Sequence, residues 1–425
     1  MDFPQMLKVR QRFERPVVEN VEETVLSELR SLALDQHIQS GDTVAVTVGS
    51  RGIANISTII KTTIDYLKSL QAVPFIVPAM GSHGGGTAEG QRKIVEGYGL
   101  TEDFLGCEIR SGMETEIVAE TPHGIPVHFD RHAYSADHVL VCNRIKAHTR
   151  FIGDIESGLH KMMLIGLGKH AGAKIYHQAI YNYSFDEIIR AVAEKVLEKC
   201  SVVAGLAIVE NAYDETALIS GVKPEEFYEK ECELCKQSKL WLPRLPFSDV
   251  DVLVVDQIGK NISGTGMDTN IIGRKYNDHE AREGDSVRVN RIFVRGLTEE
   301  THGNGTGIGI AEFTNRRTID QLDQQATAVN CITGGHPEAA MLPIAFESDR
   351  EVLAAACSTV GYKEPDEIRL MQITDTLHLD ELLVSVAYQD EFEGRSDLEL
   401  LNEAQNMKFD QNGNLIAVTD QFVES

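Results

Sequence analysis

Two strand–loop–helix units in immediate succession limit the possible folds of this chain more than any other feature. Asp42–Val48 is rich in β-formers, Gly49-Ser50-Arg51-Gly52 reads as a turn, and from Asn55 apolar residues recur at helical spacing (Ile56, Ile59, Ile60, Ile64, Leu67). Val73–Met80 repeats the strand, GSHGGGT the loop and Ala88–Gly97 the helix, with Thr87 placed to cap it. Strands joined through helices in this way lie parallel, with right-handed crossovers. Their loops then leave one edge of the sheet, where α/β proteins bind ligands. His138–Cys142 reads as a third such strand. If it shares the sheet, Arg51, His83 and His148 come to neighbouring loops although the chain separates them widely.

The third strand feeds the stretch Asn143–His177, which holds four histidines (148, 160, 170, 177), four lysines (146, 161, 169, 174), Arg144, Arg150 and five glycines. Taken singly, each is most simply a loop histidine or a surface lysine. As a cluster beyond a buried strand they suit anion binding, metal ligation or proton transfer. The surrounding chain sharpens the point. Its net charge is −25, so a local basic cluster is set inside an acidic protein. That charge argues against nucleic acid or an anionic membrane as partner. The charged opening Met1–Arg15 is unlike a secretory leader, no apolar run is long enough for a bilayer, and the seven cysteines are scattered. A cytoplasmic protein with reduced thiols is expected.

At 425 residues two domains are expected. The prolines of WLPRLPF mark the boundary, giving an N-terminal α/β cofactor-binding and catalytic domain over 1–243 and a C-terminal α/β domain over 247–425. The fold class is therefore α/β: two mixed α/β domains with an active-site cleft between them. In the first, Leu7–Phe13 reads as an edge strand, Glu19–Leu34, Phe185–Lys199 and Lys223–Lys239 as helices, Glu116–Phe129 as a hairpin and Val202–Val209 as a strand. In the second, Val250–Val255, Val287–Val294 and Arg369–Thr374 read as strands, and Ile319–Ala328 and Glu351–Thr359 as helices. Val250–Val255 leads into another glycine-rich loop, DQIGKNISGTG, carrying Gln257 and Lys260.

No GxGxxG follows the first strand, and no Walker loop, HExxH or GxSxG is present, so ordinary dinucleotide binding, zinc proteolysis and serine hydrolysis have little support. The residues left are Arg51, His83, His148, Lys161, His177 and Lys260. The two cations could clamp a carboxylate, histidines could act as acid and base or hold a metal, and a lysine could form a covalent link. Composition and spacing do not divide these roles.

GSRG, GSHGG, KAH, SGLHK followed by YH, and DQIGK, in that order, resemble the nickel-dependent lactate racemase family along nearly the whole chain. These are racemases and epimerases of 2-hydroxyacids that use a nickel-pincer nucleotide (nickel pyridinium-3,5-bisthiocarboxylic acid mononucleotide), covalently attached. The resemblance implies that Lys161 holds the cofactor through a thioamide and His177 ligates nickel. It implies His83 and His148 as paired acid/base groups, and Arg51, Lys260 and Gln257 as substrate-binding residues. The segment from His148 to Lys161 is longer than in the lactate enzyme, which leaves Lys169 and Lys174 as alternatives to Lys161; His160 and His170 fall to supporting roles. Partners would be a small 2-hydroxyacid and the proteins that make the cofactor.

The implied reaction has a physical reason. An α-hydrogen beside a carboxylate is poorly acidic, and removing it as hydride avoids a dianionic enediolate. A 2-ketoacid then forms and can be reduced on either face. Two other readings stand beside this one. The first is an epimerase of a larger sugar acid (an aldonate), with Asp154, Glu156, Asn261, Ser263 and Thr265 recognising hydroxyls. The second is a non-catalytic protein that binds a nickel nucleotide.

Overall fold

The computed structural model describes residues 2–50 and 52–422. The chain forms two compact units, Arg15–Leu242 and Met1–Glu14 with Pro243–Ser425. The opening strand β1 (Gln5–Gln11) thus belongs with the C-terminal half rather than with the domain expected over 1–243.

In the unit Arg15–Leu242, helix α1 (Val21–Ser31) is capped by Asn20 and precedes β2 (Thr43–Val48), α2 (Ile56–Ser69), β3 (Val73–Pro78) and α3 (Ala88–Gly97). The Thr87 cap expected from sequence forms: its Oγ1 accepts the Gly90 N–H at 3.1 Å. A short helix α4 (Glu102–Leu105), the hairpin β4 (Thr115–Glu120) and β5 (Pro126–Asp130), and a turn of helix α5 (Arg131–Tyr134) lead to β6 (His138–Arg144). Then come α6 (Gly158–Lys161), a π-helical turn over Met162–Gly166, α7 (Lys169–Ala179), α8 (Phe185–Lys199), β7 (Val202–Glu210), β8 (Thr216–Val222) and α9 (Phe227–Leu240).

The sheet order is β3-β2-β6-β7-β8. The first four strands are parallel, and β8 closes the edge antiparallel to β7. Alternation along β2 sends Val44 and Val46 to one face and Ala45 to the other, so each face has its own core. One packs α1, α2 and α3 through Val25, Leu29, Ile59, Ile60 and Val95; the other packs α6 to α9 through Leu159, Tyr176, Ile188, Val192 and Phe227. Burying each such side chain contributes about 1.5–3 kcal/mol.

The other unit is built on a sheet of β1 and eight strands from the C-terminal half: β9 (Asp249–Val255), β10 (Arg288–Val294), β11 (Phe313–Asn315), β12 (Ile344–Phe346), β13 (Leu370–Ile373), β14 (Glu381–Ser385), β15 (Leu398–Leu400) and β16 (Gln405–Asn406). The order is β12-β11-β10-β9-β13-β14-β1-β15, with β16 also on β1. So β1 is not the edge strand its alternation suggests: β14 pairs it on one side and β15 and β16 on the other. The helix expected over Ile319–Ala328 is broken into α10 (Arg316–Gln321) and α11 (Gln324–Thr333). At the break the Asp323 N–H bonds Gly303 O, and its carboxylate caps the Ala326 N–H at 2.9 Å. Helices α12 (Asp349–Ser358) and α13 (Val418–Phe422) complete the unit.

No helix of the described residues is long and apolar enough to cross a membrane.

Candidate functional site

The parallel order β3-β2-β6 brings three loops to the carboxyl edge of one sheet: 79–87 after β3, 49–55 after β2 and 145–157 after β6. Hydrogen bonds tie them together. Ser50 Oγ lies 3.2 Å from His83 Nδ1, so the first two loops meet. The Glu210 carboxylate at the end of β7 accepts the Ala54 N–H at 2.7 Å and is paired with Arg144 on β6. Arg144, one of the cations of the basic stretch, thus has a structural partner. Arg51 lies outside the described residues.

The stretch after Gly158 is not a loop. It is helical, and it forms the floor beneath the first two loops. The Gly81 N–H bonds Gly166 O at 3.3 Å. Gly81 sits at φ 59°, and a Cβ there would come within 2.9 Å of the Ile165 side chain, so this close approach of loop to floor needs glycine. The floor widens for one turn at Met162–Gly166, where the Leu167 N–H reaches back to Met162 O at 2.8 Å. Such wide turns are frequent at functional sites, and this one directly follows Lys161.

Phe151 is the hub of the third loop. Its ring stacks on His148 (centroids 4.1 Å apart, planes at 11°) and on Phe185 (3.9 Å, 12°). The Lys161 Nζ lies 5.2 Å from the same ring centroid, and the His177 ring 6.1 Å from it. One aromatic side chain therefore gathers His148, Lys161 and His177. Burial, with Lys161 and Arg150 nearby, holds His177 below the ordinary histidine value, which keeps its imidazole neutral and able to ligate a metal. His148 is fixed through its backbone as well: its N–H donates to Glu156 Oε2 at 2.8 Å, while Glu156 Oε1 accepts from Lys239 at 2.7 Å.

The other candidates in the stretch are occupied differently. Lys169 is fully buried, pairs with Asp130 at 3.2 Å, donates to Pro78 O and lies 3.3 Å from Gln91 Oε1. Burial lowers its pKa and Asp130 opposes the shift. His160 is buried against Glu231, with 2.5 Å between Nδ1 and Oε2. His170 and Lys174 are exposed on α7. Lys161 is half-buried and close enough to His177 to influence it electrostatically, whereas Lys169 is fully buried with its amine held by Asp130, Pro78 O and Gln91.

Gln257 and Lys260 follow β9 in the other unit. Lys260 Nζ donates to Gly264 O at 2.7 Å. Gln257 is exposed and lines a cavity of about 430 Å³ with Asn261, Thr298, Asp375, His378 and Val418. Several polar residues expected to recognise hydroxyls bond within the protein instead: Glu156 as above, Asn261 to Thr298 at 2.6 Å, and Ser263 with Thr265 at 3.2 Å.

Sequence reasoning did not single out Phe151, Glu156 as an anchor of His148, or Ser50. The one available signal was an aromatic residue three positions after KAH in an otherwise polar loop.

A family model described as the lactate racemase N-terminal domain matches residues 5–187. Over residues 5–187 the chain is therefore similar to that family. The matched span contains Arg51, His83, His148, Lys161 and His177, and it ends three residues into α8. No curated protein matches the chain. Among solved structures, the lactate racemase apoprotein from Thermoanaerobacterium thermosaccharolyticum aligns over 90% of each chain at 12% identity and a TM-score of 0.49. A protein from Thermotoga maritima aligns over 85% of this chain and 97% of its own at 13% identity and a TM-score of 0.48. Likeness at that level carries no argument about activity.

Proposed function

We propose that this protein is a nickel-pincer nucleotide-dependent racemase or epimerase of a 2-hydroxyacid, acting by reversible hydride transfer through a 2-ketoacid. The observation that carries the reading is the grouping of Lys161, His177 and His148 around Phe151, on a domain of the lactate racemase N-terminal family. The donor set fits the cofactor. Lys161, a half-buried residue, offers an amine for covalent attachment, and His177 offers a neutral imidazole to nickel. His177 is proposed as the protein's nickel ligand. When bound, this cofactor supplies the hydride acceptor and donor.

The protein's part is orientation, proton transfer and charge. His83 and His148 are proposed to act on the substrate hydroxyl, Arg51 and Lys260 to hold the substrate carboxylate, and Gln257 to be a further substrate-binding residue. Cofactor-loaded protein should interconvert the stereoisomers of at least one acid in a panel of chiral 2-hydroxyacids and aldonates, read by chiral chromatography. On that substrate Arg51→Ala and Lys260→Ala should each weaken turnover by about 2–5 kcal/mol, the scale of a desolvated charge pair losing one member. Unchanged kinetics in both variants would remove the two cations from the site.

A further inference from the structure

We infer that the two acid/base histidines are not interchangeable: the backbone around them sets His83 as the proton acceptor and His148 as a neutral hydrogen-bond donor. This deepens the proposed function and rests on its assignment of the pair.

At His83, Nδ1 lies 2.9 Å from Met80 O. A carbonyl only accepts, so Nδ1 carries the hydrogen, and the lone pair of the neutral ring is at Nε2. Ser50 Oγ, 3.2 Å from Nδ1, is a second group able to accept from it. At His148 the arrangement is reversed. The backbone N–H groups of Arg150 and Phe151 donate to Nδ1 at 3.1 and 3.0 Å. Amide N–H groups only donate, so this Nδ1 carries the lone pair and the ring hydrogen is at Nε2. A hydrogen on Nδ1 would face two N–H groups. Turning the ring over would set a C–H against both, losing two hydrogen bonds. The stack on Phe151 and the His148 N–H bond to Glu156 hold the ring and loop in this arrangement.

The consequence for the reaction is a single proton carrier. His83 Nε2 would take the hydroxyl proton, and the nickel–organic cofactor, when bound, would supply the hydride acceptor and donor. In the return direction His83 would give the same proton back to that oxygen, whichever stereoisomer is formed. Protons and electrons balance over the cycle with no exchange between the histidines. His148 offers an N–H to a substrate oxygen and accepts no proton at Nε2. Symmetry between the two histidines, one base for each stereoisomer, is not what these backbone contacts favour.

The test begins on the full chain without cofactor. In ¹⁵N-histidine-labelled protein, with resonances assigned by their loss in His83→Gln and His148→Gln, long-range ¹H–¹⁵N correlation spectra at neutral pH report which ring nitrogen is protonated. The expected result is a protonated Nδ1 at His83 and a protonated Nε2 at His148. The same tautomer at both, or the reverse pair, overturns the inference, whether or not the protein proves to be a racemase. In cofactor-loaded protein, His148→Gln keeps an N–H donor near the position of Nε2 and should retain turnover within about tenfold, the scale of one altered neutral hydrogen bond. His83→Gln should lose roughly 10²–10⁴-fold, the scale of a positioned general base. Equal losses in the two variants would contradict the assignment.

Discussion

At the scale of single residues, the site depends on an aromatic ring that does no chemistry. Phe151 stacks on His148 and Phe185 and lies near Lys161 and His177. Each stacked pair contributes about 0.5–1.5 kcal/mol beyond the area buried. Phe151→Leu should therefore lower unfolding free energy by about 1–3 kcal/mol in denaturant titration, and should remove the ring-current shift of the His148 ring protons. Unshifted His148 resonances in the variant would show that the stack does not form in solution. The histidines and lysines of this site were legible as a cluster because such side chains are poor core material. Phe151 was not, because an aromatic residue in a loop is read from sequence as core. The stretch also did not show which of its cations were committed elsewhere. Arg144 answers Glu210 from another strand, and Lys169 answers Asp130 across 39 residues of chain (169 minus 130).

At the scale of elements, the glycine loop bearing His83 is held from beneath by α7. Lys169, its first residue, takes a left-handed φ of 54°, an uncommon conformation for a lysine. Its amine joins Asp130, at the end of β5, to Pro78 O and Gln91. Gln91 in turn donates to Gly81 O at 2.9 Å and His83 O at 3.3 Å. One buried charge thus ties α7, the hairpin and the His83 loop. Lys169→Met should destabilise the fold by about 3–5 kcal/mol, because it leaves the buried Asp130 carboxylate unpaired. Adding Asp130→Leu should recover part of that loss, since both charges are then gone. Additive losses in the double variant, measured by denaturant unfolding, would mean the pair is not coupled. The strand–loop–helix units were readable from apolar period and turn residues because those signals are local. The helical floor of Gly158–Ala179 was obscured by its own glycines, three of which (158, 166, 172) serve close packing against Glu231, Met162 and Tyr176.

At the scale of the whole molecule, the proline boundary near Pro243 was visible in the chain, but the return of β1 to the C-terminal unit was not. Strand pairing across about the full length of the chain leaves no local mark. The alternation of β1 shows two faces, not which strands flank it. Deleting residues 2–14 removes β1, which pairs β14 on one side and β15 on the other. Hydrogen exchange should then rise sharply in Glu381–Ser385 while β2 and β6 keep their protection; uniform loss of protection in both units would contradict the division. The central claim is that Lys161, beside His177 and Phe151, carries the nickel cofactor. Its most direct test is peptide-mapped mass spectrometry of the full chain produced together with the proteins that make the cofactor. The account predicts an adduct on the peptide bearing Lys161, and its loss in Lys161→Ala. An adduct on Lys169 or Lys174, or an unmodified chain under conditions that load a lactate racemase, would contradict it.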